Sequence, residues 1–199
     1  MPMSEIGTVL LAAGLGTRFG PEPKMLALLD GLPLVRHAAE AALAAGPRPV
    51  VVVLGAHADA VRRALSGLDV VLVENPDFHA GLATSLRAGV AALPRNCEAA
   101  VIVLGDMPRI FADHIDRLAA AFEESSRSVA AVVPVLDSLR GNPVLLNLRR
   151  LTADIGQLTG DRGAGPLLRD RSDILEIPGD AGTALDIDTP AALRAAEDA

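Results

Sequence analysis

Aromatic residues are scarce in this chain: it has four Phe, no Trp and no Tyr, so aromatics make up 2% of its 199 residues. Few flat side chains are left to stack on bases, as single-stranded nucleic acid binders require. Positive charge is scarce as well. Lys and Arg number 18 against 25 Asp and Glu, giving a formal net charge of −7 and a pI of about 5.0, so no global field attracts a polyanion. A single cysteine, Cys97, cannot form an internal disulfide, which suits a reducing compartment; it reads as a small residue ahead of a strand. No apolar run is long enough to cross a bilayer, and the opening Met-Pro-Met-Ser-Glu-Ile-Gly lacks the basic start of an export signal. The expectation is a cytoplasmic protein that binds neither nucleic acid nor membrane.

Several catalytic signatures are missing too. The histidines His37, His57, His79 and His114 show no H-x-x-x-H spacing; only His79, in a loop before a helix, is kept as a substrate contact. There is no G-x-S-x-G, no Gly-Lys pair from which to build a P-loop, and no evident histidine–carboxylate pair. A small anionic substrate is still compatible with the acidic composition, because a few local cations and backbone N–H groups can meet its charge.

What is present is an ordinary globular composition, 50% hydrophobic and 22% charged. Continuous Val-rich runs at Thr8–Ala12, Val50–Leu54, Val70–Glu74, Ala100–Leu104 and Val129–Val135 read as strands buried on both faces. Further strands are expected at Pro143–Leu146, Ile174–Ile177 and Ala184–Ile187. Helices are expected at Pro33–Ala45, Ala58–Leu65, Ala83–Leu93, Ala112–Glu124, Leu148–Ile155, Gly163–Arg169 and Ala191–Glu197, with Thr189 as the cap before Pro190. The alternation predicts a single α/β domain over residues 1–199: a three-layer sandwich around a Rossmann-like, mostly parallel sheet. Residues 137–180, where turns become frequent, would form the acceptor side.

In such a sheet ligands bind at the carboxyl ends of the strands, and four sites there carry chemistry. The first strand runs into Leu11-Ala12-Ala13-Gly14-Leu15-Gly16-Thr17-Arg18-Phe19-Gly20. Its glycines let backbone approach phosphate, and Arg18 and the later Lys24 supply cations. The spacing Gly14-x-Gly16-x-x-x-Gly20 is one residue longer than the dinucleotide fingerprint, and Gly55-Ala56-His57 stands where that fold expects an acid. The second site is Asp106, at the end of a buried strand in Gly105-Asp106-Met107-Pro108, placed to hold Mg²⁺. The third, Asp186-Ile187-Asp188, offers Asp188 as a second metal ligand, with helix capping as its structural alternative. The fourth, Asn75 to Leu86, brings Thr84 and Ser85 to a helix N-terminus.

Taken together with Gly81-Leu82-x-x-Ser85-Leu86, Gly141-Asn142-Pro143-Val144 and Gly160-Asp161-Arg162-Gly163-Ala164, these motifs resemble the molybdenum cofactor nucleotidyltransferases, most closely the cytidylyltransferase branch. The resemblance implies a nucleotide-diphospho-sugar-transferase-like fold and Mg²⁺-dependent transfer of CMP from CTP to a phosphorylated pterin, releasing pyrophosphate. It implies that Leu11, Ala12, Ala13, Gly14 and Gly16, with Gly81 and Ser85, enclose the nucleotide. Arg18 and Lys24 would neutralise the triphosphate and, with Asp106, form the catalytic set; Asp106 and Asp188 would hold the metal. Asn142, Pro143, Asp161 and Gly163 would face the acceptor, and a client molybdoenzyme would be a further partner. Ala13, where the guanylyl branch has Gly, favours CTP. The alternatives are a guanylyl or a sugar- or polyol-phosphate nucleotidyltransferase, and, in another class, a non-catalytic cofactor-binding maturation factor.

Overall fold

The computed structural model describes residues 5–161 and 163–197. The chain opens with β1 (Ile6–Ala12), the glycine loop and a 3₁₀ turn at Lys24–Leu26, then a short hairpin of β2 (Leu28–Leu29) and β3 (Leu32–Pro33). There follow α1 (Leu34–Ala44), β4 (Val50–Leu54), α2 (Ala58–Ala64), β5 (Val71–Glu74), a 3₁₀ turn at Phe78–Ala80, α3 (Leu82–Ala92), β6 (Ala99–Leu104) and α4 (Ala112–Glu124). The second half contains β7 (Ala131–Leu136), β8 (Leu139–Arg140), β9 (Val144–Asn147), α5 (Leu148–Gln157), α6 (Gly165–Leu168), β10 (Ile174–Pro178), α7 (Ala181–Ala184) and α8 (Pro190–Glu197).

The main sheet has the order β10-β7-β9-β6-β1-β4-β5, with β8 paired to β7. β1 is parallel to β4 and to β6, and β4 is parallel to β5. β9 alone reverses the central run, antiparallel to both β6 and β7. Successive strands therefore build outward from β1 on one side and then cross to β6 on the other. The crevice at the carboxyl ends of β1 and β6 is the switch point at which such sheets bind ligands.

The side-chain alternation explains the three layers. Along β4, Val50, Val52 and Leu54 join one core cluster, with Leu10, Val101, Val103 and residues of α1, α2 and α4. Val51 and Val53 face the other way, packing with Val9, Ile102 and residues of α3 and α5. With both faces covered, the continuous Val run predicted from sequence is what such a strand requires. A third cluster, Phe19, Leu29, Leu34, Ile187 and Ala196, pins the end of the glycine loop to the C-terminal segment.

One predicted strand is absent. Ala184 closes α7, and Leu185–Ile187 lies outside every strand. Asp180 accepts from the N–H groups of Gly182 and Thr183 and so winds that segment into a helical turn. Both edges of β6 are already taken by β1 and β9, and among the described residues the backbone of the segment meets that region through one bond, Ile187 N–H to the Asp106 carbonyl at 2.9 Å. The β2–β3 hairpin was not expected, and Pro33 precedes α1 rather than opening it. Thr189 does act as a cap, accepting from Ala192 N–H at 3.2 Å.

Gly89 in α3 shows how closely helix and sheet approach: a β-carbon there would lie 2.3 Å from Val9 Cγ1 and 2.9 Å from Val53 Cγ2. In an open helix, Gly→Ala is stabilising by up to about 1 kcal/mol. Here overpacking reverses the sign, and Gly89→Ala should lower stability by about 1–3 kcal/mol. A denaturant midpoint at or above that of the unaltered protein would contradict this close packing.

Candidate active site

Three segments far apart in sequence converge at the switch point. Lys24 Nζ lies 2.5 Å from Asp106 Oδ2 and 2.9 Å from Asp188 Oδ1, and Arg18 lies 2.7 Å from the other Asp188 oxygen. Local structure explains each placement. Gly16 has φ of +62°, and a β-carbon there would stand 2.8 Å from Lys24 Cβ, so the glycine lets Lys24 pack beneath the loop. Phe19 and Ile187, both buried in the third cluster, anchor the neighbours of Arg18 and of Asp188; burying a side chain such as Ile187 is worth roughly 1.5–3 kcal/mol. Gly105 closes on β1 through its N–H bond to the Leu11 carbonyl at 3.0 Å, which sets Asp106 against Lys24.

The electrostatics are those of a cation shared by acids. Burial alone would depress the Lys24 ammonium, but Asp106 and Asp188 outweigh it and hold its pKa above the ordinary value. The hydrogen bond from Lys24, aided by the charges of Lys24 and Arg18, holds the Asp188 carboxyl below the usual range despite partial burial. Asp186, beside this pair, is pushed up by burial and then by the charges of Asp188 and Asp106. Asp106 Oδ1 is buried and among the described residues has no hydrogen-bond partner, a costly condition for a carboxylate oxygen that a further cation at this point would relieve. Among the described residues no three His, Cys, Asp or Glu side chains form a ready-made metal cage. A divalent ion held by Asp106 and Asp188 would have to complete its shell with water and phosphate oxygens, as Mg²⁺ does.

The remaining expected residues flank this centre. Leu11 and Ala12 end β1. Gly14 is exposed with open space where a side chain would stand, so its surface is free for close approach. Ala13 is 2% exposed, and its Cβ and carbonyl crowd Gly55, where an added β-carbon would lie 2.7 Å from the Ala13 methyl and 2.7 Å from Phe78 Cβ. That methyl thus packs inward, so Ala13 would influence base choice through the shape of the loop.

Ser85 lies in the first turn of α3, following Gly81 at φ of +102°. Gly81 meets the Gly160–Asp161 backbone so closely that a β-carbon would lie 2.3 Å from Gly160 C, and Ala83 N–H donates to the Gly160 carbonyl at 3.1 Å. The two loops expected to serve nucleotide and acceptor are therefore docked on each other. Gly163 approaches Leu82, while Arg162 lies outside the described residues. Asn142 and Pro143 precede β9, whose antiparallel register (Ile102 with Val144) puts them at the same sheet edge as Asp106. Asn142 N–H is bound to the Thr183 carbonyl at 3.0 Å. His79 is exposed and its ring stacks near Phe78.

Two features escaped the sequence. A histidine–carboxylate pair does exist: His114 Nε2 lies 2.8 Å from Asp180, and His114 Nδ1 accepts from Phe111 N–H. The backbone donor fixes the tautomer, so Nε2 carries the proton; the pair ties α4 to α7 and lies apart from the Lys24 contacts. Asn75, 4% exposed, organises the start of α3. Its only sequence signal was an Asn directly after a strand and before Pro76.

A sheet with this switch point, a glycine loop and a shared Lys–Asp centre at its edge define the class: the chain is a nucleotidyltransferase. It belongs to the family described as the MobA-like NTP transferase domain, which matches residues 8–175. Among similar proteins, nicotine blue oxidoreductase of Paenarthrobacter nicotinovorans is 34% identical over 187 residues, covering 91% of each chain. The bifunctional protein GlmU of Kineococcus radiotolerans is 37% identical over 138 residues, 68% of this chain but only 28% of GlmU. Rv0371c of Mycobacterium tuberculosis superposes with a TM-score of 0.82 at 28% identity over 98% of this chain and 100% of that one, and a structure of Rv0371C in complex with manganese is also similar, with a TM-score of 0.79 at 26% identity over 99% of this chain and 100% of that one. A nucleotidyl transferase from Methanothermobacter has a TM-score of 0.81 at 25% identity, covering 100% of this chain and 97% of its own. The fold expected from sequence is thus the observed one.

Replacing the shared cation tests the electrostatic arrangement. Lys24→Met should destabilise the metal-free protein by about 3 kcal/mol, because it leaves the Asp106 carboxylate without its counter-charge while Asp188 keeps Arg18, and Mg²⁺ or Mn²⁺ should restore part of that loss. Thermal melts with and without EDTA report both effects; a variant as stable as the parent in EDTA would show that the pairing does not hold the site together.

Proposed function

We propose that this chain transfers CMP from CTP to the terminal phosphate of molybdopterin cofactor, releasing pyrophosphate, with Asp106 and Asp188 holding Mg²⁺ in the cytoplasm. The observation that carries the reading is Lys24 bridging Asp106 and Asp188 while Asp106 Oδ1 lies buried and, among the described residues, unpartnered. That donor set is all oxygen, suited to a hard divalent ion. Bound there, Mg²⁺ would neutralise charge on the α-phosphate and the departing pyrophosphate.

The chain's own residues do the rest. The exposed glycine loop cradles the triphosphate with backbone N–H groups. Arg18, whose side chain is 75% exposed, reaches phosphate oxygens with a planar fork. Lys24 would offer its ammonium to the bridging oxygen as negative charge develops on it. An acceptor phosphate oxygen attacks the α-phosphorus in line, one P–O bond forms, and the bond to pyrophosphate breaks. The attacking group is already anionic, so no side chain need take a proton. Asn142, Pro143, Asp161 and Gly163 border the acceptor, and the whole chain acts as one domain. The choice of CTP over GTP rests on Ala13, and that of a pterin on the motif resemblance.

A second reading takes its support from the full-length likeness to a protein named an oxidoreductase. Against it stand the overlong glycine spacing and Gly55-Ala56-His57 in place of the acid that binds a dinucleotide ribose.

Pyrophosphate release with Mg²⁺, molybdopterin cofactor and each of CTP, GTP and ATP tests the proposal. Release with CTP alone is expected; release with GTP alone would keep the chemistry and replace the base. Asp106→Ala should cut turnover by on the order of 10²–10³-fold in a folded protein; near-normal turnover would remove Asp106 from the site. Lys24→Ala should lower kcat far more than it raises the KM for CTP, and equal changes would reduce Lys24 to ground-state binding.

A further inference from the structure

The amide of Asn75 is fully engaged although nothing in the reaction above uses it. Its Oδ1 accepts from Asp77 N–H at 3.0 Å, while Nδ2 donates to Thr84 Oγ1 at 2.8 Å and to Ser85 Oγ at 3.0 Å. The amide orientation is not ambiguous. A backbone N–H can only donate, so the atom facing Asp77 must be the carbonyl oxygen and the NH₂ must face the two hydroxyls. Thr84 then passes its own proton to the carbonyl of Gly81, at 2.8 Å, or Asp77, at 3.0 Å. The Ser85 hydroxyl differs. It accepts from Asn75, yet among the described residues its proton has no acceptor, although Ser85 is only 3% exposed.

Asn75 is itself held rigidly. It is 4% exposed, and its N–H donates to the Leu54 carbonyl at the end of β4, 2.8 Å away. The segment it starts continues to Phe78, which crowds Gly55 from one side as Ala13 crowds it from the other. The turn carrying Ser85 is thereby fixed to the glycine loop through the sheet.

We infer that Asn75 is a positioning residue for the nucleobase: by turning a donor rather than an acceptor toward Ser85 it leaves the hydroxyl proton free to donate, so the subsite reads an acceptor atom on the edge of the base. This rests on the proposal above that Gly81 and Ser85 border the base. Cytosine offers such acceptors at O2 and N3. An amide at position 75 sets the direction of the hydrogen bond; a carboxylate there would invert it by accepting the Ser85 proton itself, while still accepting from Asp77 N–H and preserving the turn.

The test compares two ligands by calorimetry in Mg²⁺: CTP, and ribose 5-triphosphate, which keeps the phosphates and lacks the base. The unaltered protein is expected to prefer CTP. Asn75→Asp is expected to weaken CTP about tenfold, the scale of one lost hydrogen bond, and to leave ribose 5-triphosphate unchanged. In a Ser85→Ala background, Asn75→Asp is expected to have no further effect, because the two act through one contact. Equal weakening of both ligands would make Asn75 a structural residue and overturn the inference, as would unchanged CTP binding or additive losses. Should Asn75→Asp fail to fold, Asn75→Ala, which unfixes the Ser85 hydroxyl without taking its proton, is expected to weaken CTP by less than tenfold and leave ribose 5-triphosphate unchanged, and equal weakening of both would overturn the inference. Equal affinity of the unaltered protein for the two ligands would instead remove the base subsite, which is a failure of the functional proposal and is recognisable as such before any variant is made.

Discussion

The shared contact of Lys24 with Asp106 and Asp188 organises the ligand-binding edge of this protein. It joins the loop after β1, the end of β6 and the segment before α8, three stretches that no local interaction would bring together. A buried ammonium between carboxylates is stable only while each charge answers the other. The apolar packing of Phe19, Leu29 and Ile187 beneath it supplies the rigidity, and the glycines at 16 and 105 supply the space. Charge, packing and backbone freedom here serve one outcome: an edge of the sheet where two carboxylates are held against an ammonium and a guanidinium.

Much of the fold was legible because the central strands are buried on both faces. The Val runs of β4 and β6 cannot be confused with amphipathic strands, and the Ala-rich helices kept their helical spacing. The strand expected at Ala184–Ile187 failed for a reason that composition does not carry: whether an apolar run pairs depends on whether a neighbour has a free edge, and β6 had none. The Asp180 cap that bends this segment depends on backbone angles, which the sequence only hints at.

The candidate site was legible in its charged members and obscure in its supporting ones. Arg18 lies within the glycine loop, Lys24 just beyond it and Asp106 after a buried strand, whereas Asp188 was picked out as the end of a strand that the fold does not form. Asn75 and the His114–Asp180 pair act through distances across the fold, and Asn and His are common enough in loops and at helix starts that neither stood out. Ala13 errs in the opposite direction: its identity suggests a direct effect on the base, whereas its methyl lies against Gly55 and any influence must pass through the backbone.

The bare backbone contact between Gly81 and Gly160 has a consequence for how such proteins can diversify. The two loops it joins come from opposite halves of the chain, and a side chain at Gly81 would displace the Gly160–Asp161 backbone. A new loop grafted alone at 160–161 would meet a partner shaped for the old one. Exchange of these loops between relatives should therefore succeed when both travel as a matched pair, and the evolution of one is geared to that of its neighbour.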